Sequence, residues 1–175
     1  MSSITTVPDA AAPIRPPRLL GLYLLLIIVA AIEAFDGLSH APMLFGDMSR
    51  IPGPGIGGAI IKAYVASHPV LALAALAFAT VGRLRYAVMV LGVLVLMNWL
   101  NYIPSVVLHG LDFDGASAFQ TPLQIIAFPL MGASAIALAA RGQRLGLATI
   151  LVSIPTLFNL AAVIAFGVGV FLYGF

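Results

Sequence analysis

The fold of this protein is decided by residues 19–40, whose sequence is LLGLYLLLIIVAAIEAFDGLSH. The first part of this stretch, residues 19–32, carries no charged side chain and is typical of a helix that enters a lipid bilayer. Glu33 and Asp36 then appear before a helix rising about 1.5 Å per residue can cross a hydrocarbon core about 30 Å thick. Because a carboxylate at mid-bilayer costs about 2.5 to 3.5 kcal/mol on insertion scales, the pattern predicts a function for these acids.

The composition of the whole chain indicates an integral membrane protein. Hydrophobic residues make up 62% and charged residues 8%, and the mean hydropathy is +1.12, which is typical of a multi-pass membrane protein. We therefore expect the lipid bilayer as its main partner and a bacterial-type plasma (inner) membrane as its location. The eight Lys and Arg residues stand singly between apolar runs and make no basic face, which excludes nucleic acid as a partner.

Five apolar segments predict an all-α integral membrane protein, a five-transmembrane-helix bundle. The approximate spans are 19–40, 60–82, 86–108, 120–140 and 145–173. Prolines lie inside four of them, and we expect a bend at Pro69 and an interruption at Pro104. The segment 42–58 has the proline and glycine content of an irregular loop.

The N-terminal region divides the chain into an arm and a single domain. Residues 1–18 are predicted to be a disordered arm, and residues 19–175 a single transmembrane helical domain. A positive flank followed by an apolar segment also resembles a cleavable signal peptide, so cleavage of the first segment stays an open alternative.

The arginines predict the orientation of the bundle. In a five-span topology most basic residues share one side of the membrane: Arg15, Arg18, Arg83, Arg85, Arg141 and Arg144. Because cytoplasmic loops are enriched in Lys and Arg, we expect the N-terminus in the cytoplasm and the C-terminus on the external side.

Polar side chains on all five predicted spans lie at a similar depth. Counted from the arginine that flanks each span, they fall about 20 to 26 Å into the bilayer at about 1.5 Å per residue. The set is Glu33, His68, Asn98, Asn101, Gln124 and Asn159, and Asp36 and Tyr102 lie on the same helix faces as Glu33 and Asn98. Because lipid offers no hydrogen-bond partner, we expect these side chains to line a polar cavity in the outer half of the bundle, open to the external side. The alternative is that they only join helices by hydrogen bonds.

The histidines raise the question of a metal or haem site. Asp36 and His40 are four residues apart, a spacing that presents two ligands on one helix face, and His109 could add a third. A transition metal at these residues is therefore an alternative, and haem ligation by histidines from separate helices is another. The chain has no Cys, which excludes an iron–sulfur cluster.

These observations leave three function classes open. Binding or transport of a small solute or cation, with coupling to protons as a variant, is the first hypothesis, since Glu33 could change its charge as a solute binds. A membrane-embedded enzyme acting on lipid or quinone is the second, with Glu33 and Asp36 as an acid–base pair. A non-catalytic accessory subunit of a membrane complex is the third. The small residues Ala161, Ala165 and Gly169 suit close helix packing, within the bundle, in a homo-oligomer or against such a partner.

Overall fold

A computed structural model describes residues 17–45, 55–115 and 117–174, and within these ranges all regular structure is helical. The elements are α1 (Pro17–His40), α2 (Pro42–Phe45), α3 (Ile56–Thr80), α4 (Leu84–His109), α5 (Ser117–Pro122), a π-helical segment (Leu123–Ala127), α6 (Phe128–Ala140) and α7 (Leu145–Tyr173). The predicted N-terminal arm up to residue 16, and residues 46–54 of the predicted loop, lie outside the described residues.

Five helical stretches are long and apolar enough to cross a membrane. They are Leu20–His40, Ile56–Thr80, Leu84–His109, Ser117–Ala140 and Leu145–Tyr173, with mean hydropathies between 1.6 and 2.1. This confirms the prediction of a multi-pass helical membrane protein with five spans. The sidedness of the termini and the identity of the membrane remain predictions.

Two details around the first loop differ from the prediction. The second span begins at Ile56 rather than near residue 60, and Pro42–Phe45 forms a helical turn. The first turn of α3 packs on α4, since a Cβ added to Gly57 would lie 3.3 Å from Cβ of Pro104. Pro104 is buried there and α4 continues through it, so the predicted interruption is wrong. Packing between α3 and α4 outweighs the local preferences of glycine and proline.

The spans form a closed bundle in which α4 contacts each of the other four. α1 packs against α3 and α7, and α6 packs against α4 and α7. Small residues permit the closest crossings: a Cβ added to Gly92 of α4 would lie 3.1 Å from the carbonyl oxygen of Gly132 in α6.

The dry core occupies the half of the bundle that lies next to the arginine-bearing turns. Its buried members are Leu26, Val29, Ala30, Ala34, Ala72, Ala75, Ala79, Ala87, Val88, Leu91, Leu94, Ala135, Ala139, Ala148 and Val152. At this end the Tyr23 hydroxyl donates to the Thr80 carbonyl oxygen at 2.9 Å, and the Arg85 guanidinium donates to the Ala140 carbonyl oxygen. The polar side chains of the spans therefore gather in the opposite half.

The loop between α4 and α5 lies at that opposite end and is held by two hydrogen bonds to Asp112. The Asp114 N–H donates to Oδ1 of Asp112 at 2.9 Å, and the Thr121 hydroxyl donates to the Asp112 carbonyl oxygen at 2.6 Å. The Asp114 N–H and, less strongly, the Ser117 side chain hold the pKa of the exposed Asp112 carboxyl below its usual range. The loop therefore keeps a negative charge at neutral pH.

The fourth span contains an extra residue in one turn. The Phe128 N–H donates to the Leu123 carbonyl oxygen five residues earlier, which is the π-helical pattern, and Pro129 follows without an N–H of its own. Gln124 lies within this segment. Such π-turns often occur at functional sites.

Candidate functional site

Glu33 lies at the point where three spans meet. The Thr156 hydroxyl of α7 donates to its Oε1 at 2.6 Å, and Nε2 of His68 in α3 lies 3.1 Å from its Oε2. The Glu33 side chain is 19% exposed. Both carboxylate oxygens are thus occupied, which is how a protein makes a charge tolerable inside an apolar bundle.

His68 lies between two carboxylates. Its Nδ1 atom is 3.8 Å from Oδ2 of Asp36, which is an ion-pair distance rather than a hydrogen bond. His68 is 3% exposed, whereas the Asp36 side chain is 53% exposed. When Glu33 is ionised it can only accept, so Nε2 of His68 must then carry hydrogen. Tyr64, one turn before His68, stacks near it with ring centroids 5.0 Å apart.

A glycine brings α1 and α3 together at this level. A Cβ added to Gly37 would lie 2.9 Å from Cα of Pro69, so only glycine permits this approach. Glu33 lies one turn before Gly37, and His68 directly precedes Pro69. The close crossing therefore sets the distance between the carboxylate and the imidazole.

Two cavities adjoin Glu33. The larger, of about 250 Å³, is lined by Ile32, Glu33, Phe35, Asp36, Tyr64, Asn98, Thr156, Asn159, Leu160 and Val163. The smaller, of about 50 Å³, is lined by Glu33, Leu94, Val95, Asn98, Trp99, Tyr102, Gln124, Phe128, Pro155, Thr156 and Asn159. One water needs about 10 to 15 Å³ of such space. The smaller cavity thus accommodates a few waters, and the larger one a small organic molecule.

The predicted pocket residues mostly lie around these cavities. His68 contacts both Glu33 and Asp36 but lines neither cavity itself. Asn98 and Asn159 line both cavities, whereas Tyr102 and Gln124 line the smaller one. Asn101 lines neither of these two cavities.

Of the three predicted metal residues, two lie side by side on α1 and the third bonds to its own helix. Nδ1 of His40 lies 2.8 Å from the backbone carbonyl oxygen of Asp36 and 3.9 Å from its Oδ1. Nδ1 of His109 lies 3.2 Å from the Ser105 carbonyl oxygen in its own helix. Across the described ranges, no group of three or more His, Asp or Glu side chains is placed to hold a metal ion, and a metal at Asp36, His40 and His109 stays a prediction.

Three residues of the site were not among those predicted. Thr156 donates a hydrogen bond to Glu33, and the ring of Tyr64 contacts the ring of His68. Trp99 lines the smaller cavity, and its buried Nε1 lacks a hydrogen-bond partner among the described residues. Their spacing carried a signal: Tyr64 is one turn from His68, and Thr156 is one turn from Asn159.

Removing the Thr156 hydroxyl is expected to destabilise the bundle. Thr156→Val keeps the shape but leaves Oε1 of Glu33 without its donor, a loss of about 1.5 to 3 kcal/mol for a hydrogen bond to a charged group. Thr80→Val is the matched control, because the exposed Thr80 hydroxyl only bonds carbonyls of its own helix. Thermal unfolding in detergent measures both, and equal melting temperatures would contradict the role of Thr156.

The site thus consists of a partly buried carboxylate held by a hydroxyl and an imidazole, with a second carboxylate and two cavities beside it. Among the described residues that line the cavities, none is Lys or Arg. Comparison of the chain with protein-family models, with curated proteins and with solved structures finds no match.

Proposed function

We propose that this protein is a membrane carrier that binds a small cationic solute at Glu33 and releases a proton as it does so. The observation that supports this most is the pairing of Glu33 with His68 at the wall of the larger cavity. An amide would join helices as well as a carboxylate at a lower insertion cost, so the charge itself has a use.

The charge of the site favours a cation. Glu33 and Asp36 line the larger cavity, and a protonated His68 balances only one of them. The aromatic ring of Tyr64 lines the same cavity and can stabilise an organic cation through its π face. A cation of a few heavy atoms matches the volume of about 250 Å³.

Proton release follows from the same contacts. A cation beside Glu33 and Asp36 repels the positive charge of protonated His68, so binding favours neutral His68. The titratable groups facing this pair are Asp36 on α1, Tyr64 on α3 and Tyr102 on α4, while α7 contributes Thr156 and Asn159. By linkage, the affinity for the cation rises with pH wherever its binding releases a proton.

The packed core on the arginine-bearing side bears on how a solute would cross. The residues there are apolar and buried, and one of them, Leu94, lines the smaller cavity where it meets this core. Movement of a solute through the protein therefore requires a second conformation in which this core opens, as in alternating access.

Cation binding with proton release tests the proposal directly. The purified protein in weakly buffered detergent is titrated with tetramethylammonium, guanidinium and Na⁺, with calorimetry for binding and a pH dye for protons. We expect one of the organic cations to bind with release of up to one proton per site, more tightly at higher pH. Absence of binding for all three cations, or binding without protons, would overturn the proposal.

An enzyme acting on lipid or quinone is a second candidate, supported by the imidazole of His68 lying between two carboxylates. Such a chain can pass a proton to a substrate in the cavity. This candidate predicts chemical conversion of a lipid or quinone analogue, lost in Glu33→Gln while the analogue still binds. The carrier predicts loss of binding in the same variant.

A further inference from the structure

The larger cavity has an apolar rim on one flank of the bundle. Its deep wall is polar, but Ile32 and Phe35 of α1 and Leu160 and Val163 of α7 also line it. Phe35 is 77% and Val163 68% exposed. The mouth therefore lies between α1 and α7, on the side of the bundle rather than at its end.

Helices α1 and α7 contact each other from the arginine-bearing side up to the hydrogen bond between Thr156 and Glu33. On the arginine-bearing side, a Cβ added to Gly146 would lie 3.0 Å from Cδ1 of Leu22. The buried residues of α7 end at Thr156, and beyond it the described part of the helix has none. The mouth therefore lies beyond the hydrogen bond between Thr156 and Glu33, where the residues of α7 are no longer buried.

The depth of the mouth indicates which phase it meets. Phe35 lies five residues before the end of α1 at His40, about 7.5 Å along the helix axis. Val163 lies ten residues before the end of α7 at Tyr173, about 15 Å. Both residues are inside stretches apolar enough to span a membrane, so the rim faces acyl chains in the outer half of the bilayer.

From these observations we infer that the solute is an amphipathic cation that enters sideways from the bilayer, its charged head at Glu33 and Asp36 and its hydrocarbon tail between Phe35 and Val163. This inference rests on the proposed function, to which it adds the class of solute and the route. The complementary charges select the head, and the exposed apolar rim allows the tail to stay in a hydrocarbon environment.

A tail-length series tests the inference. Affinities for tetramethylammonium and butyltrimethylammonium, which differ by three methylenes, are measured by calorimetry. The same titrations of the Glu33→Gln variant measure the heat that comes from partition of the cations into detergent. Each buried methylene is worth about fourfold in affinity, so we expect butyltrimethylammonium to bind at least about tenfold more tightly. Equal affinities, or binding of guanidinium without binding of either quaternary ammonium ion, would overturn the inference and leave the proposed function standing. Absence of binding for these two cations and for guanidinium and Na⁺ would overturn both.

Rim variants test the route. Val163→Phe narrows the mouth and Phe35→Ala removes its opposite edge, and both positions are exposed, so the fold tolerates them. We expect each variant to reduce the gain from the butyl tail at least about threefold and to change tetramethylammonium binding by less than about twofold. Val168→Phe is the control, since Val168 is exposed on α7 away from the rim. A butyl gain that both rim variants leave intact would show that the tail lies elsewhere.

Discussion

Glu33→Gln is expected to lower the affinity for the organic cation at least about 30-fold while the protein remains folded. The amide still accepts a hydrogen bond from Thr156 and can bond to His68, so the helices stay joined. The lost quantity is the attraction between the cation and a partly buried charge. Removing one partner of such a pair costs about 2 to 5 kcal/mol, and 1.4 kcal/mol corresponds to about tenfold in affinity.

Two further carboxylates serve as graded controls for Glu33. Asp36→Asn removes a charge that also lines the larger cavity but is half exposed, so a loss of less than about fivefold is expected. Asp112→Asn lies in the loop after α4, outside both cavities, and should leave binding unchanged. If Glu33→Gln and Asp112→Asn bound the cation equally well, Glu33 would not be the binding group.

The Gly37→Ala substitution is expected to lower both the stability and the cation affinity. The new Cβ would lie 2.9 Å from Cα of Pro69, and a backbone atom cannot rotate away as a side chain can. Overpacking costs about 1 to 3 kcal/mol, and a clash with a backbone atom is expected near the upper end of this range. This cost exceeds the gain of about 1 kcal/mol in helix propensity when glycine is replaced by alanine. The new methyl group also pushes α1 away from α3, which increases the distance between Oε2 of Glu33 and Nε2 of His68 and so disturbs the binding site.

The Gly21→Ala substitution in the same helix is the matched control for Gly37→Ala. A Cβ at Gly21 meets no atom within 4 Å, so only the helix propensity changes and the melting temperature should stay equal or rise. Thermal unfolding in detergent and tetramethylammonium calorimetry are carried out on both variants. Should Gly37→Ala match Gly21→Ala in both measurements, the crossing would not position the site.

The sequence predicted the pairing of Glu33 with its neighbours only in part. The shared depth of Glu33, His68 and Asn159 follows from counting along helices of constant rise, which needs no knowledge of packing. Which helix faces which neighbour does not follow from counting. Thr156, a weaker polar residue than Asn159 in sequence terms, therefore turned out to be the group that bonds Glu33.

The sequence by itself determined that this protein has five helices long and apolar enough to span a membrane, with Glu33 and Asp36 within the first of them. This follows because hydrocarbon thickness and the cost of a buried charge act on each segment separately. The tertiary structure alone decided that His68 bridges Glu33 and Asp36, that α4 continues through Pro104, and that the cavity opens between α1 and α7. These features depend on contacts between residues far apart in the chain, above all the close approach of Gly37 to Pro69. Helix periodicity defines faces but does not select their partners.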